Sequence, residues 1–331
     1  LKVGVIGAGS WGTALSNILA DNNCDVTICG RDENVVKSIN SLNENFKYLK
    51  GFILNDKLKA DTDIEKVISK SDIIVNSIPT QHIRSVYSPF SLLFKDKILI
   101  NSSKGIEKTS LFLIDQIFAD IFHNKDFKLA FLSGPSFALE VVKRLPTATT
   151  VASTDKQIAH LAQKLFNNKY FRVYTETDVK GVLLGGAIKN VIAIGAGIVD
   201  SMCLGNNTRA SLITRGLAEI ARLGKKLGAH SQTFAGLTGL GDLVLTCTGD
   251  LSRNRKVGME LGRGKLLQDI LCHLKMAAEG VDTSYSVYKL SELHDVEMPI
   301  SNEIYNIIYK GKSVSEAIRD LMSRELKEEK C

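Results

Sequence analysis

Proline is scarce in this 331-residue chain, tryptophan occurs once, and no repeat or low-complexity tract is present. Five prolines leave long stretches free for uninterrupted helices and strands. With hydrophobic residues at 44%, a disordered chain is excluded. The six cysteines (24, 29, 203, 247, 272 and 331) show no C-x-x-C and no zinc spacing, which points to free thiols in a reducing compartment. The six histidines (82, 123, 160, 230, 273 and 294) lack metal-ligand spacing, so no metal is expected. Neither a G-x-S-x-G elbow nor a P-loop lysine motif occurs. A net charge of +6 from scattered basic residues suits a phosphorylated small molecule and makes no case for nucleic acid. The longest apolar run, Val182 to Val199, approaches membrane length, but Lys189 and Asn190 sit at its centre. A lysine there is costly in lipid, so the run reads as a buried core helix. With no signal peptide ahead of the first strand, the expectation is a cytoplasmic protein without integral membrane association. A homodimer is the expectation from the frequency of that state among enzymes.

What is present begins at the first twelve residues. Val3-Gly4-Val5-Ile6 reads as a short buried strand, Gly7-Ala8-Gly9-Ser10-Trp11-Gly12 follows, and helical apolar spacing starts at Thr13. Strand, G-x-G-x-x-G and helix together are the context in which the glycines mean a dinucleotide site. Gly7 permits the tight turn, Gly9 lets a pyrophosphate approach, and Gly12 lets helix and strand pack closely. The helix N-terminus supplies free N–H groups and a positive dipole end for the diphosphate.

At this length two domains are expected. Strand patterns fall at 2–6, 25–29, 57–60, 72–78, 98–102, 128–132, 147–152 and 170–174, with helical patterns at 33–42, 82–94, 109–122 and 155–166 between them. That alternation predicts an α/β, doubly wound, mostly parallel sheet of Rossmann type over 1–176. From 177 onward only helical patterns remain, at 177–202, 207–228, 252–262, 281–294, 299–309 and 313–323. An all-helical C-terminal domain over 177–331, binding substrate, is therefore predicted.

Ligands of open α/β sheets bind beyond the carboxyl ends of the strands. Loops predicted there are Gly30-Arg31-Asp32, Pro79-Thr80-Gln81, Ser103-Lys104-Gly105 and Ser133-Gly134-Pro135-Ser136-Phe137-Ala138. Turns favour such residues anyway, but a lysine at a strand tip is not explained that way, and Lys104 becomes the first candidate for a ligand-facing cation. Arg31 suits a 2′-phosphate and so NADP; Asp32 beside it keeps NAD open.

Lys189 lies mid-way along a segment that is apolar nearly all round, where snorkelling is difficult. Its helical neighbours Gly185, Gly186, Ala193 and Ala196 are small, which leaves room for a ligand at the ammonium. Desolvation lowers a lysine pKa toward the range a proton donor needs; a structural ion pair with a buried carboxylate is the other reading. Asp242, in Gly239-Leu240-Gly241-Asp242, either caps the following helix or orients Lys189 or a substrate hydroxyl. Ser252-Arg253-Asn254-Arg255-Lys256 opens a helix with Ser252 as N-cap, which suits either a phosphate seat or a solvated basic face.

Taken together, these segments resemble the bacterial-type NAD(P)-dependent glycerol-3-phosphate dehydrogenase family. The matching stretches are Val5 to Leu15, Ser103-Lys104-Gly105, Ser133 to Ala138, Lys189 to Gly197, Gly239 to Leu243 and Ser252 to Arg255, in the family's order. The resemblance implies that Ser10, Trp11, Arg31, Lys104, Ala138, Arg253, Ala277 and Glu279 contact NADP or NAD. It implies that Lys104, Gly134, Ser136, Lys189, Asp242, Ser252, Arg253 and Asn254 surround a phosphorylated triose, with Lys189 as acid/base. The implied reaction is hydride transfer between NAD(P)H and dihydroxyacetone phosphate to give sn-glycerol 3-phosphate, a precursor of glycerophospholipids. Met276-Ala277-Ala278-Glu279-Gly280 departs from the family's more usual valine-rich version. A related two-domain hydroxyacid or hydroxyacyl dehydrogenase is the rival enzyme, and a dinucleotide-binding redox sensor the rival outside catalysis.

Overall fold

Val3, Gly4, Val5 and Ile6 of strand β1 (Lys2–Ile6) are all buried, the pattern of a strand covered on both faces. The computed structural model describes residues 1–123, 128–273, 278–326 and 328–329. β1 lies inside an eight-stranded sheet with β2 (Asp25–Cys29), β3 (Lys59–Asp61), β4 (Ile73–Asn76), β5 (Ile98–Asn101), β6 (Lys128–Ser133), β7 (Thr147–Ala152) and β8 (Phe171–Glu176). The order β3-β2-β1-β4-β5-β6-β7-β8 reverses direction beside β1, the switch point of a doubly wound sheet. All neighbours pair in parallel except β6 and β7, where Leu132 faces Val151 across an antiparallel ladder. The prediction of a mostly parallel sheet followed by helices is therefore met.

Helices of this half are α1 (Ser10–Asp21), α2 (Glu33–Leu42), α3 (Ile64–Lys70), α4 (Ile83–Tyr87), α5 (Ile114–Phe122), α6 (Ala138–Val142) and α7 (Lys156–Phe166). Two of the helical patterns expected from sequence take a different form. The pattern over 82–94 breaks into α4 flanked by 3₁₀ turns at Thr80–His82 and Ser88–Phe94, because Pro89 supplies no N–H for a continuous helix. The pattern over 109–122 turns helical only at Ile114; Leu111 adopts a left-handed backbone (φ +62°) that interrupts it.

Beyond Glu176 the described residues form helices and turns: α8 (Val179–Ser201), α9 (Gly205–Lys226), α10 (Ser231–Phe234), α11 (Asp242–Thr248), α12 (Arg253–Gly262), α13 (Leu267–His273), α14 (Glu279–His294), α15 (Pro299–Lys310) and α16 (Val314–Met322). A π-helical turn, Leu237–Gly241, runs into α11. The long helix α8 is apolar enough to cross a membrane by composition, yet its most apolar stretch lies buried inside the protein. α12 crosses it at backbone contact: a Cβ on Gly197 would stand 1.9 Å from the Arg255 carbonyl oxygen, and one on Gly258 1.8 Å from that of Ile194.

The described chain divides into two compact units, one of residues 1–103 and 115–179, the other of 104–114 and 180–331. The short segment after β5 thus belongs with the helices.

Candidate active site

The first unit carries the glycine turn at the carboxyl end of β1. Gly7 has φ +114°, which a side chain would strain, and a Cβ on Gly12 would stand 1.9 Å from the Gly7 carbonyl oxygen. Gly9 differs: nothing lies within 4 Å of the place its Cβ would take. α1 begins there with no side-chain cap, so the amides of Ser10 and Trp11 open onto that space. The Ser77 hydroxyl, at the end of β4 against this turn, is buried with no hydrogen-bond partner among the described residues. A pyrophosphate fits these features: uncapped amides, a gap where Cβ is missing, and an unsatisfied hydroxyl. Asn45, fully buried and outside every motif, donates to the Ala8 carbonyl oxygen (3.1 Å) and to Thr13 Oγ1 (2.8 Å), holding the turn in shape.

Beyond β2, Arg31 is exposed, while the Asp32 carboxylate is committed. It caps α2 by accepting from the Asn34 and Val35 amides and pairs with Lys47 at 2.8 Å. The Lys47 hydrogen bond, then those amides, hold its pKa below the ordinary carboxylate value. Beyond β6, Gly134 adopts φ +131°, Ser136 Oγ donates to its carbonyl oxygen (3.0 Å), and Ala138 opens α6.

The second unit holds the ionic centre. Lys189 Nζ, in the middle of α8, donates to Asp242 Oδ1 at 2.5 Å and to Thr246 Oγ1 at 2.7 Å. Lys104 Nζ donates to the other carboxylate oxygen, Asp242 Oδ2, at 2.6 Å. Thr246 Oγ1 donates its own proton to the Asp242 carbonyl oxygen (2.6 Å) and so presents a lone pair to Lys189. Asp242 begins α11 but makes no side-chain cap there; of its two sequence readings, the contact with Lys189 is the one realised. Lys189 is 6% exposed and Asp242 1%. Burial brings the Lys189 pKa down to about 8; Asp242 opposes this and the Lys104 ammonium adds to it. Cys247, also on α11, is pushed up to about 12 by burial and remains a neutral thiol beside this group.

At Gly185 the small face of α8 is not left open. A Cβ at Gly185 would meet the Thr238 carbonyl oxygen at 2.6 Å, so the missing side chain admits the π-helical turn that delivers Asp242. Sequence spacing along one helix registers a gap but not the backbone that fills it.

Ser252 is the N-cap of α12, its Oγ accepting from the Arg255 amide at 3.2 Å. Asn254 is turned inward. Its Nδ2 donates to Asn190 Oδ1 (2.9 Å) and its Oδ1 accepts from the Gly280 amide (3.0 Å), tying the starts of α12 and α14 to the residue after Lys189. The amides of Arg253 and Asn254 belong to the first turn of this helix. Glu279 opens α14 next to Gly280, close enough for its charge to act on Arg253. Ala277 lies outside the described residues. Sequence reading missed Thr246, although its i+4 spacing from Asp242 is a legible signal, and Asn190, hidden by its place beside the lysine.

Models of the NAD-dependent glycerol-3-phosphate dehydrogenase N-terminus and C-terminus match residues 2–159 and 178–319. A glycerol-3-phosphate dehydrogenase [NAD(P)+] of Solidesulfovibrio magneticus is 48% identical over 330 residues, covering 99% of this chain and all of that protein. One of Geobacter sulfurreducens is 47% identical over 331 residues, covering 99% of each. Among solved structures, glycerol-3-phosphate dehydrogenase from Coxiella burnetii superposes with a TM-score of 0.93 at 34% identity, covering 98% of this chain and 99% of that one.

Proposed function

The chain belongs to the NAD-dependent glycerol-3-phosphate dehydrogenase family, and we propose that Lys189 is the acid that completes its reduction of dihydroxyacetone phosphate to sn-glycerol 3-phosphate. It is an NAD(P)-dependent oxidoreductase. When bound, the nicotinamide supplies the hydride to the C2 carbonyl carbon. Lys189 then delivers a proton to the C2 oxygen as its negative charge develops. The Asp242 carboxylate, accepting from both ammonium groups, holds the donor in line, and Lys104 polarises the carbonyl. With a pKa of about 8, Lys189 is roughly nine-tenths protonated at pH 7, charged and yet ready to release its proton.

The substrate phosphate is assigned to the α12 start, where Arg253 and the first-turn amides supply charge and donors; Ser252 and the inward-turned Asn254 shape that end. Gly134 and Ser136 complete the triose contacts in this reading. The dinucleotide is assigned to Gly7, Gly9, Ser10, Trp11 and Gly12, with Arg31 toward its adenosine end and Ala138, Glu279 and Lys104 as further contacts. Because Asp32 is spent as a cap and ion-pair partner, Arg31 is left as the group that meets a 2′-phosphate, which favours NADP.

The observation that carries this proposal is the Lys104–Asp242–Lys189 chain, an ammonium of lowered proton affinity held by a shared carboxylate. The test is absorbance at 340 nm (the ordinary assay wavelength for reduced nicotinamide, roughly) with dihydroxyacetone phosphate and each reduced cofactor in turn. Lys189→Met is expected to lower kcat by ~10²-fold or more while leaving cofactor Kd unchanged. Near-normal turnover of that variant overturns the role given to Lys189.

A further inference from the structure

Residues 104–114 leave the sheet unit after Ser103 and form part of the helical unit before the chain returns at Asp115. Apart from Ile114, where α5 begins, the segment contains no helix or strand, so no backbone ladder of its own fixes it. It nevertheless carries Lys104, whose ammonium must arrive at Asp242 Oδ2 within hydrogen-bond distance. Burial of Ile106, Glu107 and Leu113 holds part of it in place. Ile106 is fully buried, and Ser286 Oγ on α14 donates to the Ile106 carbonyl oxygen at 3.3 Å. Two hydrogen bonds close the loop on itself, Glu107 N to Phe112 O and Leu111 N to Glu107 O, both 3.0 Å.

A further anchor is Lys108. Its ammonium lies 5.3 Å from the ring centre of Tyr285 and 5.1 Å from that of Tyr309, and 3.3 Å from Asp282 Oδ1. The two rings meet edge to face at 5.7 Å, and the Tyr309 hydroxyl donates to the Val281 carbonyl oxygen, so the cage is itself braced by α14 and α15. A lone half-exposed ion pair contributes little. Two aromatic faces and a carboxylate around one ammonium restrict it in three directions.

We propose that Lys108 is a positioning residue for the reaction: gripped by Tyr285, Tyr309 and Asp282, it sets the register of the 104–114 segment that brings Lys104 onto Asp242. This rests on the assignment of Lys104 and Lys189 given above. The groups acting on Lys189 are Asp242 and Cys247 from α11 and Lys104 from this segment. Of these, Lys104 depresses its proton affinity through like charge, so withdrawal of Lys104 raises it.

The experiment compares the full-length chain with Lys108→Met, Lys108→Arg and Asp282→Asn. Lys108→Met is expected to lower kcat/KM for dihydroxyacetone phosphate about tenfold, equivalent to about 1.4 kcal/mol, without changing the Kd for NADH or NADPH. The pH at which Lys189 loses its proton, followed by NMR titration of its ammonium in the chain without substrate, is expected to rise by about half a pH unit. Arginine keeps a cation over the rings, so Lys108→Arg restores both values. Asp282→Asn leaves the rings in place and moves both values in the same direction by less, and it decides the matter if Lys108→Met does not fold. An unmoved titration overturns the proposal, as does a loss that follows only the folded fraction or that arginine does not rescue. The titration needs no turnover, so failure of the proposed reaction and failure of the Lys108 role give different results.

Discussion

At Lys189 two opposing effects set the proton affinity. Burial removes water from the ammonium and drives its pKa down; the Asp242 carboxylate drives it back up, while Lys104 reinforces the fall. Burial wins, and the value of about 8 lies where a group both gives and takes a proton near neutrality. The consequence for rate has a definite sign. In the role proposed for Lys189, reduction needs the protonated lysine, so kcat for dihydroxyacetone phosphate is expected to fall as pH rises through about 8; oxidation needs the neutral amine and is expected to rise over the same interval. Paired pH–rate profiles in the two directions check this, and parallel profiles contradict it. The same lysine illustrates how far one residue is legible from sequence. Its setting in an apolar helix announces burial, but its hydrogen bond to Asp242 spans 53 positions and its bond to Thr246 spans 57, and no local pattern encodes either.

Among the elements, the crossing of α8 and α12 controls how the ionic centre and the proposed phosphate seat are held. Backbone touches backbone at Gly197 and Gly258, and both partner atoms are peptide groups that have no rotamer to change. Gly258→Ala must therefore separate the helices, and is expected to destabilise the fold by about 3 kcal/mol, at the upper end of ordinary overpacking. Denaturant unfolding measures it; an unchanged midpoint contradicts the close crossing. A helix start was legible where capping chemistry is local: Ser252, read as the cap of α12, accepts from the amide three residues on. The helix expected to begin at 109 was not, because apolar spacing continues through residues that the left-handed Leu111 keeps irregular. Likewise the short α10 and the π-helical turn lacked a readable period, since each is about a turn whose place depends on partners such as Gly185.

For the whole molecule, the feature of greatest consequence is that the helical unit is not contiguous in sequence. It takes in residues 104–114, and with them the buried Ile106 and the Lys104 ion pair to Asp242. A fragment of residues 180–331 lacks both. It is expected to be less stable than the same unit in the intact chain by about 2 kcal/mol or more, the order of one buried isoleucine. Hydrogen exchange of α11 and α14 amides in fragment and intact chain measures the difference, and equal protection contradicts the inclusion of that segment.

The sequence by itself determined the alternation of strands and helices, the glycine turn, the purely helical pattern after Glu176 and the burial of Lys189, because each rests on interactions between residues a few positions apart. Tertiary structure alone decided three things: that Asp242 serves Lys189 and Lys104 in place of a helix cap, that Asn254 is turned inward to Asn190, and that the gap at Gly185 is filled by chain. Each is a choice between partners far apart along the chain. Packing makes that choice, since a buried polar group or an empty space in the interior is costly unless another element satisfies it.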